Sequence, residues 1–201
     1  INKAQYGENY KKLYGTMLPA ADYKLNMHTE AGRSVYSFCM CPGGYVVNSS
    51  SEQGGICVNG MSYSGRSGKN ANAAIIVSVT PDDFGSTDYP LAGIEFQREL
   101  EASAAQAAGG KIPVQLLGDF MEGVKSTHFG SVKSNAKGDV EFADLNDVLP
   151  DVITESIKEA LLKFDGIIKG FADPDAVLSA VESRTSSPIR ILRNNHFESN
   201  I

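Results

Sequence analysis

The sequence predicts an α+β fold, and three features carry that prediction. Strand-like segments fill the first part of the chain and helix-like segments follow residue 90, without the regular alternation a doubly wound sheet requires. Apolar residues alternate at period two over 21–29 and recur at helical spacing over 91–107. Composition is that of an ordinary globular chain: of 201 residues, 42% are hydrophobic and 21% charged. We expect a single domain spanning 1–201, with an irregular arm at 1–20, a mainly β region at 21–80, and helices with short strands over 90–201. The architecture is an antiparallel or mixed sheet with about three flanking helices.

The elements follow in order. Residues 21–29 set Tyr23, Leu25 and Met27 on one side and Lys24, Asn26 and His28 on the other, as in a half-buried strand. Glu30, Ala31 and Gly32 supply a tight turn, and 33–40 is the hairpin partner. Residues 45–48 and 55–59 extend the antiparallel set. The continuous β-branched run 73–80 reads as a central strand buried on both faces. Residues 81–88 are a loop. Pro90 opens a helix that Gly109 and Gly110 close. Residues 113–117 are a short strand, and 119–143 a long polar loop of the kind that is functional or mobile. Pro150 opens a second helix, with Ile153, Ile157, Ala160, Leu161 and Phe164 on one face. Asp173 and Pro174 open a third, through Val177, Leu178 and Val181. Residues 188–192 form a last strand.

Charge and cysteine usage narrow the function classes. The net charge is −6, which argues against nucleic acid as the main partner. Three cysteines in a chain of this size argue against a disulfide framework and for a reducing, cytoplasmic setting. No apolar run reaches the roughly 20 residues that span a bilayer. The chain opens at Ile1 without methionine and stops after a polar run, so we read it as an excised piece of a longer protein.

The stretch 33–72 is where chemistry concentrates. A strand breaks at Pro42, Gly43 and Gly44, resumes as Tyr45-Val46-Val47, and is followed by a loop rich in Gly, Ser and Asn. Bare backbone at a strand end suits close approach of a flat polar ligand. Cys39 and Cys41 stand two apart and on a regular strand share a side. They read either as a redox pair or as two small buried hydrophobes. Metal binding lacks a second ligand pair at short spacing. The glycines at 54, 55, 60, 65 and 68 fit neither phosphate-loop spacing, and Asn59-Gly60 is a turn signal. Asn70 and Asn72 suit either a ligand's carbonyl and imide groups or a turn cap. Arg184, Thr185, Ser186 and Ser187 before Pro188 suit an anion clamp or a helix terminus. No serine elbow and no acid–base carboxylate pair stands out.

Four stretches, YSFCMCPGGYVV, VNGMSYSGRSGKNANAAIIV, GIEFQRELE and VESRTSSPIRI, resemble the FAD-dependent dehydrogenases of NAD(FAD)-utilising type, in the family's order and over most of the chain. The resemblance implies a two-part flavoprotein in which this chain is the domain inserted into a Rossmann-like FAD-binding domain of the same polypeptide. It implies Cys41, Pro42, Gly43 and Gly44 against the flavin ring, with Cys41 the catalytic candidate. Asn59, Gly60, Met61, Ser62, Asn70 and Asn72 would form the wall beside it. Arg184, Ser186, Ser187 and Arg190 would lie on the strand returning to the FAD domain. FAD is the implied cofactor of the parent, not retained by this piece alone, and NAD(P)H a possible electron donor. The implied reaction is hydride transfer between a small substrate and the flavin, which carries the hard chemistry itself. A ligand- or partner-binding module without redox role, docking through 119–143, is the alternative reading of the same residues. An RNA-modifying flavoprotein is disfavoured by charge.

Overall fold

The computed structural model describes residues 24–85 and 88–199. The arm at 1–20, and Tyr23 with the start of the first strand, lie outside the described residues. The fold class is α+β, with three helices and eight strands described.

The first hairpin forms as its alternation predicts. Strands β1 (Leu25–His28) and β2 (Ser34–Pro42) pair antiparallel, with Leu25 opposite Ser37 and Met27 opposite Val35. Its turn is closed by Gly32 N–H to Thr29 O at 2.9 Å and Thr29 N–H to Arg33 O at 2.8 Å. Gly32 sits at φ +75°, where a side chain is strained.

Two expectations for this half are corrected. Strands β3 (Tyr45–Asn48) and β4 (Val58–Met61) do not extend the first sheet; they pair with each other as a separate two-stranded unit. The run expected at the sheet centre is instead, among the described residues, an edge strand, β5 (Ala71–Val77), beside a central β2 in the order β1-β2-β5. The cause lies in β2. Its register with β5 shifts between Phe38 and Cys41, where Cys39 takes φ +54°. A bulge of this kind bends and twists its strand. The chain then turns at Gly43, φ +64°, and leaves the sheet. Residues 81–88, expected as a loop, begin with a 3-10 turn, Pro81–Phe84, held by Asp83 against Arg33 at 2.5 Å.

A third sheet is mixed. Its central strand β6 (Ile112–Leu116) is buried at all five positions. It runs parallel to β7 (Val140–Phe142) and antiparallel to β8 (Val177–Ser179). β8 overturns the third helix expected from Asp173 and Pro174. Asp173 does start a turn, accepting from Asp175 N–H on Oδ1 and Ala176 N–H on its carbonyl, both at 2.9 Å. The backbone that follows then meets the free edge of β6, with Leu117 N–H to Ala176 O at 2.8 Å. Val177 and Leu178 suit either state, and the edge decides. Residues 188–192 are not a strand: they and their neighbours are exposed and unpaired in any sheet.

Helix α1 (Ala92–Ala107) begins after Pro90 as expected and is closed by Gly110 N–H to Ala105 O at 2.8 Å. The expected loop 119–143 instead opens in a short helix, α2 (Leu117–Glu122), capped by Gly123 at φ +69°, and closes in β7. Helix α3 (Asp151–Ile167) follows Pro150. Its buried Ala160, Leu161 and Phe164 pack with Leu25 and Val35 of the first sheet. A second core joins Ile112 and Val114 of β6 to Ala104 of α1, Phe120 of α2, and Ile56 and Val58 of the β3–β4 hairpin. That core presses the hairpin onto the mixed sheet, so the glycine-rich end of β2 lies where the sheets meet. Among the described residues no helix is long and apolar enough to cross a membrane.

Candidate functional site

The junction is built from backbone. Cys41 and Pro42 end β2 opposite Asn72 and Ala71 of β5. Tyr45 and Val46 of β3 stand opposite Met61 and Gly60 of β4. A Cβ at Gly44 would overlap Asn72 Oδ1, and one at Gly60 would overlap Asn72 Nδ2. The Asn72 carboxamide is thus wedged between Gly44, just before β3, and Gly60 of β4. Its Oδ1 is buried without a hydrogen-bond partner. Gly43 and Gly68 approach each other the same way: a Cβ on either would strike backbone of the other's loop. Close approach at these four glycines is therefore made by the protein's own chain. The structure brings 41–44, 59–62 and 70–72 into one neighbourhood.

A second wall comes from 131–137. Asn135 Nδ2 donates to Gly44 O at 2.6 Å, and Asn70 Nδ2 to Lys133 O at 2.7 Å. Lys137 N–H donates to Val46 O at 2.7 Å, and its carbonyl accepts from Asn48 N–H at 3.2 Å. Lys137 Nζ lies 4.5 Å from the Tyr45 ring centre, and Tyr45 meets Tyr63 edge-on at 5.5 Å. Ser126 Oγ bridges Leu116 N–H at 2.8 Å and Asp119 Oδ2 at 2.6 Å, and Ser131 N–H donates to Asp175 at 2.7 Å. This loop is pinned along its length.

On the outer side the junction shows a soft apolar surface. Met61 is 56% exposed and Tyr63 66%, and Cys41 is half-buried. The bulge at Cys39 breaks the strict alternation that places Cys39 and Cys41 on one side. Burial first, then Glu182 and Cys41, raise the Cys39 pKa, so the neutral thiol is favoured there. Glu182 itself is raised by burial.

The segment after β8 is organised separately. Arg184 makes a bidentate pair with Glu101 of α1: Nε to Oε1 at 2.7 Å and Nη2 to Oε2 at 2.7 Å. Glu101 is 2% exposed. Ser183 Oγ donates to Glu101 Oε1 at 2.5 Å, and Arg184 Nη1 reaches Ser51 Oγ. The Arg184 hydrogen bond outweighs burial and holds the Glu101 pKa below its usual value. Gln97 Nε2 donates to the carbonyls of Ser183 and Ser186. Arg184, Ser186 and Ser187 thus lie along α1, and none of their hydrogen bonds reaches the glycine junction. The helix terminus proposed for Arg184 does not exist, because β8 replaces that helix.

Sequence reasoning missed Asn135, Lys137 and Glu101. Asn135 and Lys137 sit far from the glycine stretch in sequence, and only the mixed sheet carries them back. A shallow open depression of about 490 Å³ lies elsewhere, lined by Gln106, Lys125, Asp144 and Asp147 among others. None of the expected site residues borders it. Among the described residues no group of three metal-ligating side chains gathers.

Comparison with known proteins fits the junction into a larger frame. Residues 1–185 match the family described as FAD-dependent protein, C-terminal domain-like. An uncharacterized protein of Clostridium beijerinckii (strain ATCC 51743 / NCIMB 8052) is 48% identical over 202 residues, covering 99% of this chain and 37% of that protein. The chain therefore spans little more than a third of that relative's length. With the match extending over nearly the whole chain, this protein belongs to the FAD-dependent protein C-terminal domain family.

Proposed function

We propose that this chain is the substrate-side domain of a two-domain FAD-dependent oxidoreductase, with the glycine junction facing the flavin ring. The observation that carries the proposal is the outer face of the junction: half-buried Cys41, with exposed Met61 and Tyr63 beside Asn59. A flat ring needs a soft, rigid surface with few polar groups at its rim. The residues fit such a wall. The described residues do not fit a dinucleotide cradle: none of their glycines lies in a strand–turn–helix phosphate loop. The pyrophosphate would then be held by the FAD-binding domain of the same polypeptide.

In this reading FAD supplies hydride acceptance, and the protein supplies position and exclusion of water. Cys41 packs at the edge of the ring. Asn59 and Asn70 offer amides to a small-molecule substrate. NAD(P)H is the proposed electron donor, and the dehydrogenase activity and the insertion of this domain within the FAD-binding domain belong to the same proposal. The visible spectrum of the intact polypeptide, before and after denaturation, tests the cofactor. A flavin band released on denaturation supports the reading. A colourless protein that also fails to bind added FAD overturns it in favour of a ligand- or partner-binding module. Cys41→Ala tests the site: unchanged flavin spectrum, potential and turnover would remove Cys41 from it.

A further inference from the structure

One carboxyl at the junction has no part in holding it together. Glu182 follows β8 and is half-buried. Its backbone is fixed on both sides. The Val181 carbonyl accepts from Val58 N–H at 2.9 Å, which ties the segment to the strand that carries Asn59 and Met61. Ser183 donates to Glu101. The Glu182 charge is felt by Cys39, in the bulge of β2, and the same thiol feels Cys41. Glu182 therefore belongs with the two thiols at the end of β2. Among the described residues no hydrogen bond or ion pair reaches its carboxyl.

Glu101 shows what a satisfied carboxylate looks like in the same region. Ser183 and Arg184, the two residues after Glu182, both turn to Glu101. The cation nearest to Glu182 in sequence thus serves another group. A carboxyl taken from water without a compensating partner costs stability. Such groups concentrate where chemistry is done. Burial alone raises the Glu182 pKa, which brings taking and giving a proton closer to neutral pH. The titratable groups around it are Cys39 and Cys41 on β2, buried Cys57 before β4, and Glu52, Glu101 and Arg184 of the clasp. None of them causes that shift.

We infer that Glu182 is the acid–base residue of the proposed oxidation, placed to take the proton from an O–H or N–H on the carbon that is oxidised. This rests on the flavin reading of the junction, and it makes the substrate an alcohol or an amine. In the step, the C–H bond breaks and its electron pair passes as hydride to the flavin. The O–H or N–H bond breaks, its proton passes to a Glu182 carboxylate oxygen, and a C=O or C=N bond forms. The substrate loses two electrons and the flavin gains them. Cys39 and Cys41 exchange none.

The experiment uses the intact, flavin-containing polypeptide with Glu182→Gln and Glu182→Asp, and Glu99→Gln on exposed α1 surface as control. The first readout needs no substrate. Iodoacetamide labelling of Cys39, located by mass spectrometry, is followed against pH. Removing the Glu182 charge should move the Cys39 profile to lower pH, because that charge raises the thiol pKa. The second is the flavin reduction potential against pH. Over a pH window the two electrons should bring an extra proton in the wild type and not in Glu182→Gln. The third is anaerobic flavin reduction by benzyl alcohol, lactate and benzylamine as probes. Its rate should fall about 100-fold in Glu182→Gln, with Glu182→Asp in between. The control should match the wild type throughout. Glu182→Gln should unfold at no lower denaturant than the wild type, since it removes an unpaired charge. Glu182→Met takes its place if it does not fold. A Cys39 profile that stays put shows that the carboxyl faces elsewhere and overturns the inference. So does a potential with the same pH course in Glu182→Gln, or probe oxidation at an unchanged rate. A destabilised Glu182→Gln with unchanged rate and potential makes the residue structural. A flavin-containing protein with any of these results leaves the proposed function standing and removes only this inference. A colourless protein that fails to bind FAD removes both.

Discussion

The glycine junction and the Arg184 clasp are two regions that the sequence places in one site and the structure holds together by different means. At the junction, strands meet because Gly44, Gly60, Gly43 and Gly68 lack side chains, so an amide wedge and backbone contacts replace apolar packing. At the clasp, a nearly buried carboxylate is neutralised by a bidentate guanidinium and a serine hydroxyl. The junction depends on volume. The clasp depends on charge and uses its own cation internally. The difference teaches that glycine density alone does not mark a ligand cradle, and that an arginine beside serines does not mark an anion clamp.

Removing the cation from the clasp should have the largest effect. Arg184→Met leaves the Glu101 carboxylate buried and unpaired, so we expect a loss of about 3 kcal/mol in denaturant unfolding. A loss below about 0.5 kcal/mol would mean that water or Ser183 solvates Glu101 adequately. At the junction, Gly44→Ala forces the Asn72 wedge or β3 to move, and we expect a loss of about 2 kcal/mol. Asn72→Ala in the same background should recover part of it, because the wedge is gone; independent, additive losses would show that the two do not touch in solution.

Acid separates the regions next. The folded-state pKa of Glu101 is lowered, chiefly by Arg184. Its contribution to stability is therefore fully present above the ordinary glutamate pKa and is lost as pH falls through the lowered folded value. Unfolding free energy measured against pH should show this acid-side loss in wild type and much less of it in Glu101→Gln. The junction segments carry no carboxylate of their own, and Asp175, whose pKa Ser131 lowers, is an acid-side group that touches them. The smallest expected effect is at Cys39. Its raised pKa predicts slow alkylation at neutral pH despite its exposure, and Cys39→Ser should change stability by less than about 0.5 kcal/mol. Alkylation as fast as that of a free thiol would show that the burial and Glu182 influence are not felt in solution.

Much of the fold was legible because it rests on local signals. The first hairpin, α1 and α3 follow from alternation, helical spacing, first-turn prolines and closing glycines. The elements misread share one cause. Residues 177–179 are a strand because the edge of β6 was free to take them, and 73–80 is an edge because the bulge at Cys39 diverts the chain before β3. The site was legible in part: 41–44, 59–62 and 70–72 do converge, whereas the contribution of 131–137 depends on β7 pairing with β6 from a distance in sequence.

The sequence by itself determined the fold class, the main helices, the glycine-rich stretch and the absence of carboxylates along 53–81 and 123–138. These are properties of neighbours along the chain, and local propensity or counting reads them. Only the tertiary structure decided which strands share a sheet, that Gly44 and Gly60 enclose Asn72, that Arg184 belongs to Glu101, and that Asn70 meets the Lys133 carbonyl. Those outcomes turn on which edges and charges were left to be satisfied once the local elements had formed, and that choice is made between segments far apart in the chain.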